Sequence, residues 1–306
     1  MSYRLEPHEP IDTGIKRIVH EQIDKALREL RGDTDDDRGE AVHSARKRFK
    51  KIRAALRLVR DDVGKTVYKR ENVVYRDLGR DLSDVRDAQV LIETVDMLRE
   101  YFNDQLYARA FEQIRSHLVD HHERLKARHL DQQDRAEKVI AILSEARQRV
   151  DDWPIGSGWS AVEGGLHRVY RRGFEGQKTS YDEPSVENFH DWRKRVKYLW
   201  YHTRILRDSW KPLLKKYASE VHDLSDYLGD DHDLALLHHT LQTQNLGDAT
   251  ELEALLGLTE KRSDQLRSAA APLARRLYAE VPDDFVERTK HYWKAWQHEQ
   301  NLPVVR

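Results

Sequence analysis

The sequence predicts an all-α protein. Glycine and proline are scarce, with 14 and 8 among 306 residues, and no proline occurs between Pro10 and Pro154. No segment shows the alternation of apolar and polar residues that is typical of a strand. Hydrophobic residues make up 39% of the chain, which is enough to build a core from amphipathic helices.

A single concentrated stretch of proline, glycine and serine, residues 153–158 (WPIGSG), lies at the midpoint of the chain. We place a boundary there, between an N-terminal helical bundle (residues 1–152) and a C-terminal helical bundle (residues 153–306). Each half has about 150 residues, which is sufficient to bury a core.

The two halves resemble each other in sequence. The segments that begin at His43 (HSARKRFK) and His190 (HDWRKRVK) are 147 residues apart. Residues 78–91 match residues 224–237 at an offset of 146, and residues 14–18 resemble residues 165–169. Because order and spacing are kept, the sequence predicts an internal duplication.

Helices are predicted in order along both halves. The first half is expected to form helices over 11–31, 40–61, 66–82 and 86–127, with a further helical stretch to about 150. The second is expected to form helices over 159–175, 186–207, 212–228, 232–243, 248–280 and 283–299. Pro212 suits a first helical turn, and Gly229 suits a left-handed helix end.

The second helix of each half carries a stripe of cations opposite an apolar face. In the first half, the stripe consists of His43, Arg46, Lys47, Lys50, Arg53 and Arg57. In the second half, it consists of His190, Arg193, Lys194, Lys197, Tyr201 and Arg204. We expect Trp200 and Tyr201 to add aromatic surface beside the charge.

The stripes favour an anionic partner over the alternative of a solvated helix face. Residues 43–60 contain eight lysines and arginines and no acidic residue, so ion pairs one turn apart cannot balance the charge. Like charges one turn apart repel by tenths of a kcal/mol per pair, and a bound anion offsets this. A linear polyanion suits such a stripe. If the halves pack around a twofold axis, both stripes would line one channel.

The duplicated His-x-x-Arg-Lys-x-x-Lys motif (His43, Arg46, Lys47 and Lys50; His190, Arg193, Lys194 and Lys197) resembles that of CHAD domains, conserved histidine α-helical domains. A Leu-x-x-x-(Arg/His)-Asp element follows it in both halves, and the resemblance covers roughly residues 10 to 300. It implies one CHAD domain made of two four-helix bundles related by pseudo-twofold symmetry. It also implies a basic groove that binds inorganic polyphosphate without catalysis.

The resemblance, with the stripes, gives the candidate polyphosphate-binding residues. They are Arg17, His43, Arg46, Lys47, Lys50, Arg53, Arg57, Arg168, Arg171, Arg172, His190, Arg193, Lys194, Lys197, Tyr198 and Arg204. The halves differ at Ser83, which matches Gly229, and at Arg86, which matches His232. We interpret residues 82–87 and 228–233 as turns, with Asp87 and Asp233 as helix caps or salt-bridge acceptors.

Two other functions stay open. The stripes would also suit a nucleic-acid-binding protein in which Trp200 and Tyr201 stack on bases. The pair His232 and Asp233 resembles part of a metal-dependent phosphohydrolase site, although the spacing to His238 and His239 is unspecific for a metal. We expect no enzyme activity, no cofactor and no bound metal.

The charges almost cancel, with 53 Lys and Arg against 54 Asp and Glu. We expect the cations to gather on the two stripes, and the carboxylates to occupy loops and other faces. The absence of cysteine, of a signal-like N-terminus and of a long apolar run leads us to expect a cytosolic protein, with association at polyphosphate granules and no membrane contact.

Overall fold

The computed structural model describes residues 3–35, 38–82, 84–102, 108–128, 132–244 and 249–300. Within these ranges every regular element is a helix, which confirms the all-α fold class. The elements are α1 (Ile11–Arg31), α2 (Arg38–Leu58), α3 (Arg60–Asp81), α4 (Asp84–Tyr101), α5 (Ala108–Arg128), α6 (Gln132–Arg149), α7 (Ser160–Asp182), α8 (Val186–Leu206), a 3-10 turn (Arg207–Trp210), α9 (Lys211–Thr243), α10 (Ala249–Leu277) and α11 (Pro282–Gln300).

Most helix boundaries follow from local signals in the sequence. Helix α1 begins and ends at the predicted residues, and Gly32 closes it in the left-handed conformation with φ 78°. Helix α3 begins earlier than predicted and is kinked at Gly64, where φ is 76°. Pro212 lies in the first turn of α9, as predicted.

Gly229 does not end a helix, so the prediction of two helices over 212–228 and 232–243 is wrong. Helix α9 continues from Lys211 to Thr243, and residues 228–233 form no turn. Buried residues recur every three or four positions through this region, from Leu224 and Leu228 to Leu234, and this burial holds one continuous helix together. Asp233 therefore caps no helix. Ser83, the counterpart of Gly229, lies outside the described residues.

The prediction of one helix over 86–127 is also wrong. Helix α4 ends at Tyr101, helix α5 begins at Ala108, and the two pack against each other. Their apolar residues form a small second core with α9 and α10, in which Val95, Phe111 and Leu237 are buried. Burying both apolar faces against one another requires the chain to turn back, which helical periodicity alone does not reveal.

The larger hydrophobic core contains residues from both sides of segment 153–158. That segment is not helical, and the adjoining Trp153 and Trp159 are both buried in the core. Helix α7 approaches the C-terminal end of α2 so closely that a Cβ atom at Gly165 would lie 2.0 Å from the backbone oxygen of Leu58. The division into two duplicated bundles at residues 152 and 153 remains a prediction from the sequence.

The same helices bear on membrane contact. No helix in the part of the chain that the structure describes is long and apolar enough to cross a bilayer.

Candidate functional site

Helices α2 and α8, which carry the two predicted stripes, pack directly on each other. His202 of α8 donates its Nε2 hydrogen to the backbone oxygen of Ala54 of α2 at 2.9 Å. The Arg57 guanidinium of α2 lies 4.4 Å from the ring centroid of Tyr198 of α8. The two stripes, about 147 positions apart in the chain, are therefore neighbours in space.

Each helix is oriented by its apolar face. On α2, Ala45, Phe49 and Ile52 are at most 1% exposed, as the sequence predicts. On α8, Trp192 and Val196 are buried in the same way, and Ser185 caps the helix by accepting a hydrogen bond from the backbone N–H of Asn188 at 3.1 Å. Because these faces enter the core, the basic residues are left on the opposite side.

Basic and imidazole side chains of both helices act on one another electrostatically. We call the following residues the cationic cluster: His43, Arg46, Lys47, Lys50, His190, Arg193, Lys194 and Lys197. Lys50 is exposed to solvent, yet desolvation by the surrounding protein, and then the charges of Arg46, Arg193 and Lys197, lower its pKa to about 8. The pKa of Lys197 is also lowered, by burial first and by Arg193, Arg204 and Lys47 among other groups.

The imidazoles of the cationic cluster are held neutral. Burial, followed by the charges of Lys47 and Arg86, lowers the pKa of His43 to about 4. The ring of His190 stacks on that of His232 of α9, with centroids 4.2 Å apart. The Nδ1 atoms of His190 and His232 are buried and have no hydrogen-bond partner among the residues that the structure describes.

Carboxylates from other helices lie beside the cationic cluster, contrary to the expectation that they occupy other faces. Arg46 Nη2 pairs with Asp87 Oδ1 at 3.3 Å, so Asp87 is a salt-bridge acceptor, as predicted. On α9, burial raises the pKa of Asp230 and Asp233, and the charge of Arg193 opposes this rise. These carboxylates are distant in sequence from both stripes, and the packing of α4 and α9 brings them there.

The C-terminal part of the α2 stripe is engaged with neighbouring helices. Arg53 Nε donates to Asn72 Oδ1 of α3 at 3.2 Å, and Arg57 Nη1 donates to the same oxygen at 2.7 Å. Arg57 also lies over Tyr198, as described above. These residues adjoin the cationic cluster but are fixed by other protein groups.

Tyr201 does not add aromatic surface to the stripe, so this prediction is wrong. It is 3% exposed because the N-terminal segment folds back over it: Tyr3 packs edge-on at 5.8 Å, and Leu5 N–H donates to the Ile205 oxygen at 2.9 Å. Trp200 remains half-buried, with Lys197 and Arg204 4.5 and 4.8 Å from its ring centroid.

Four further candidates lie on the first helices of the two halves. The Arg17 guanidinium is held by Glu9 at 2.6 Å and Glu21 at 3.0 Å. Arg168 pairs with Asp61 at 2.7 Å, and Arg171 pairs with Glu175 at 3.0 Å. Arg172 is exposed, and its charge adds to burial in lowering the pKa of Arg195.

Sequence reasoning missed two members of the site, His232 and Arg86. Both act on the histidine of the corresponding stripe: His232 stacks on His190, and the charge of Arg86 lowers the pKa of His43. They occupy matching positions of the duplicated element, and comparing the two copies was the signal that pointed to them. We interpreted that element as a turn, which set both residues aside.

The metal alternative rests on the histidines of α9. His232 stacks on His190, and His238 Nδ1 lies 2.8 Å from Thr259 Oγ1. Across the described ranges, no group of three or more His, Asp or Glu side chains is arranged to hold a metal ion.

The fold and the site define an all-α protein in which two basic helices pack together and gather their cations. The chain belongs to the CHAD domain family, whose sequence model matches residues 17–242. Membership supports a role related to polyphosphate. No curated protein matches the chain.

Proposed function

We propose that this protein binds inorganic polyphosphate without catalysis, in a basic groove between α2 and α8. The observation that carries the proposal is the mutual effect of Lys50, Arg193 and Lys197, whose charges come together from both helices. Uncompensated repulsion of this kind is unfavourable in the free protein. A ligand with closely spaced negative charges relieves it.

The environment of Lys50 supports a concave site. Its side chain is exposed to solvent, but enough protein surrounds it for desolvation to be the largest cause of its lowered pKa. A lysine on a convex surface would be exposed without that effect. A narrow cleft of this kind suits a thin, flexible polyanion whose every residue carries charge.

Unpartnered donors support the same position for the ligand. Arg193 Nε is buried without a hydrogen-bond partner among the described residues, as are the Nδ1 atoms of His190 and His232. Buried polar atoms are usually satisfied, so these three atoms are suited to contact phosphate oxygens. By contrast, Arg17 and Arg168 already bind carboxylates, and we assign them no direct contact with the ligand.

The principal competitor is single-stranded nucleic acid. Stacking on bases requires open aromatic faces, whereas Tyr201 is buried and Trp200 has two cations over its ring. We therefore expect long polyphosphate to displace single-stranded RNA in a direct competition. Displacement of polyphosphate by an equal charge concentration of RNA would favour the nucleic-acid function.

Absence of catalysis is part of the proposal and has its own test. With Mg²⁺ or Mn²⁺ supplied, we expect no release of inorganic phosphate from polyphosphate above the protein-free rate. Sustained release that a chelator abolishes would support the phosphohydrolase alternative. We also propose a cytoplasmic location at polyphosphate granules, to be tested by imaging a fluorescent fusion in cells with and without polyphosphate.

The binding site is tested with a fourfold variant in which Arg46, Lys50, Arg193 and Lys197 are changed to Ala. We expect affinity for long polyphosphate to fall about 100-fold, from the loss of four charge-assisted contacts. Measured between about 50 mM and about 200 mM salt, the salt dependence should become shallower by about three to four counterions.

A matched control removes four exposed lysines on other helices: Lys138, Lys178, Lys211 and Lys294. It loses the same net charge, so it separates the local site from a general electrostatic effect. We expect its affinity to stay within about threefold of the parent protein. Equal losses in both variants would reject the proposed site.

A further inference from the structure

The Nζ atom of Lys50 is an accessible amine among cations. Arg46 acts on it from its own helix, and Arg193 and Lys197 act on it from α8. Asp87 of α4 is the carboxylate that most opposes their effect. On α9, His232 and Asp233 in turn respond to the charge of Lys50.

These surroundings make Lys50 a nucleophile near neutral pH. A lysine reacts only as the neutral amine, and neighbouring cations with partial desolvation favour that form. With its pKa at about 8, roughly a fifth of the Lys50 side chains are unprotonated near pH 7.4. The same cations attract small anions, so an electrophile with a phosphoryl group is concentrated beside the amine.

We propose that Lys50 is an acylation site whose donor is an acyl phosphate, held through its phosphoryl oxygens by Arg46, Arg193 and Lys197. The amine attacks the acyl carbon, and a C–N bond forms. The bond between that carbon and the phosphate oxygen breaks, and inorganic phosphate leaves with the electron pair. The amine releases one proton to water, and no oxidant or reductant takes part.

Acylation converts Lys50 into a neutral amide and removes one charge where the stripes of α2 and α8 meet. As a regulator of polyphosphate affinity, this modification rests on the proposed function. The reaction itself depends only on the cationic cluster. The two statements can therefore fail independently.

The chain supplies two internal references. Lys51 has its pKa lowered to about 8 as well, but it is half-buried and lies 5.7 Å from the Tyr3 ring centroid. The ratio of Lys50 to Lys51 therefore separates phosphoryl recognition from basicity. Lys178 is an exposed lysine on α7 and serves as the general reference.

The test treats the full chain with acetyl phosphate at pH 7.5 and follows each lysine by peptide mass spectrometry, with fragment ions separating Lys50 from Lys51. We expect Lys50 to react about tenfold faster than Lys178, because more of its amine is neutral although each amine is less nucleophilic. Excess inorganic phosphate should slow Lys50 selectively. With a neutral acetyl ester as donor, the ratio of Lys50 to Lys51 should fall.

Equal rates at Lys50 and Lys178 would overturn the inference, as would a ratio of Lys50 to Lys51 that is the same for both donors. Arg193→Ala should slow Lys50 alone, and circular dichroism would verify that this variant is folded. Polyphosphate separates the two proposals. Rapid acetylation without protection by polyphosphate would reject the proposed function only, whereas tight polyphosphate binding with slow acetylation would reject this inference only.

Discussion

The imidazole rings of His190 and His232 stack with their centroids 4.2 Å apart and their planes at 30°. Burial, followed by the charge of Arg193, lowers the pKa of His232 to about 3, and the pKa of His190 is lowered as well. The cationic cluster thus contains neutral imidazoles that gain protons when an anion offsets the neighbouring charge.

Polyphosphate affinity should therefore rise as pH falls from about 7.5 to about 5.5. The pKa values of His43 and His232 are below their unfolded values in the free protein, and a bound polyanion raises them, so binding takes up protons. Calorimetry in buffers of different ionisation enthalpy measures this uptake. His232→Phe keeps an aromatic ring for the stack and should reduce the uptake, whereas zero uptake by the parent protein would contradict the account.

Stability of the free protein should fall as pH falls below about 6.5. His202 is completely buried, and its pKa is lowered to about 3 mainly by burial. The unfolded chain binds a proton near pH 6.5 that the folded chain refuses, so this contribution is present above that pH and is lost towards pH 3. Between pH 7 and pH 5, the free energy of unfolding should drop by about 2 kcal/mol from His202 alone.

Urea unfolding at several pH values checks this drop. His202→Gln removes the titration and keeps a side-chain donor near Ala54, so its unfolding free energy should vary less with pH. His239→Gln, at an exposed position of α9, should behave as the parent protein does. A pH dependence that is unchanged in His202→Gln would contradict the assignment to this residue.

The sequence was sufficient for the parts of the fold and site that depend on local periodicity. Helix α1, the apolar face of α2 and the cationic stripes follow from spacings of three and four residues, and the structure contains each of them. The stacking of His232 on His190 depends instead on how α9 packs on α8. Likewise, Tyr201 is covered by Tyr3, almost two hundred residues away in the chain, and a helical projection contains no such contact.

Lys50→Gln should stabilise the free protein while weakening polyphosphate binding. The folded-state pKa of about 8 lies below the ordinary value of 10.5, so protonated Lys50 lowers stability at neutral pH. Because the side chain is exposed, we expect a gain in the free energy of unfolding below about 1 kcal/mol. This gain should shrink between pH 8 and pH 10.5, as Lys50 loses its proton in the parent protein too.

Thermal melts across this pH range and polyphosphate titrations measure both effects. Lys178→Gln is the matched control, at an exposed position of α7, and should change neither quantity. A loss of stability in Lys50→Gln at neutral pH would mean that Lys50 makes a favourable structural contact, contrary to the proposed repulsion.

Two helix-interior glycines should respond to alanine in opposite directions. At Gly165 an added Cβ atom would lie 2.0 Å from the Leu58 oxygen, so Gly165→Ala forces α7 away from α2 and should cost about 2 kcal/mol or more. At Gly257 in α10 no atom lies within 4 Å of such a Cβ, and Gly257→Ala should stabilise the protein by about 0.5–1 kcal/mol. Urea unfolding of both variants decides, and equal responses would contradict the close approach.

The central claim is that polyphosphate lies between α2 and α8, and a crystal structure with a short polyphosphate tests it most directly. The account predicts consecutive phosphates within hydrogen-bond distance of Lys50, Arg193 and Lys197, with the His190 and His232 rings beside them. Phosphates found only at the separate basic cavity lined by Arg204, Arg207 and Lys215, with the cationic cluster unoccupied, would contradict it.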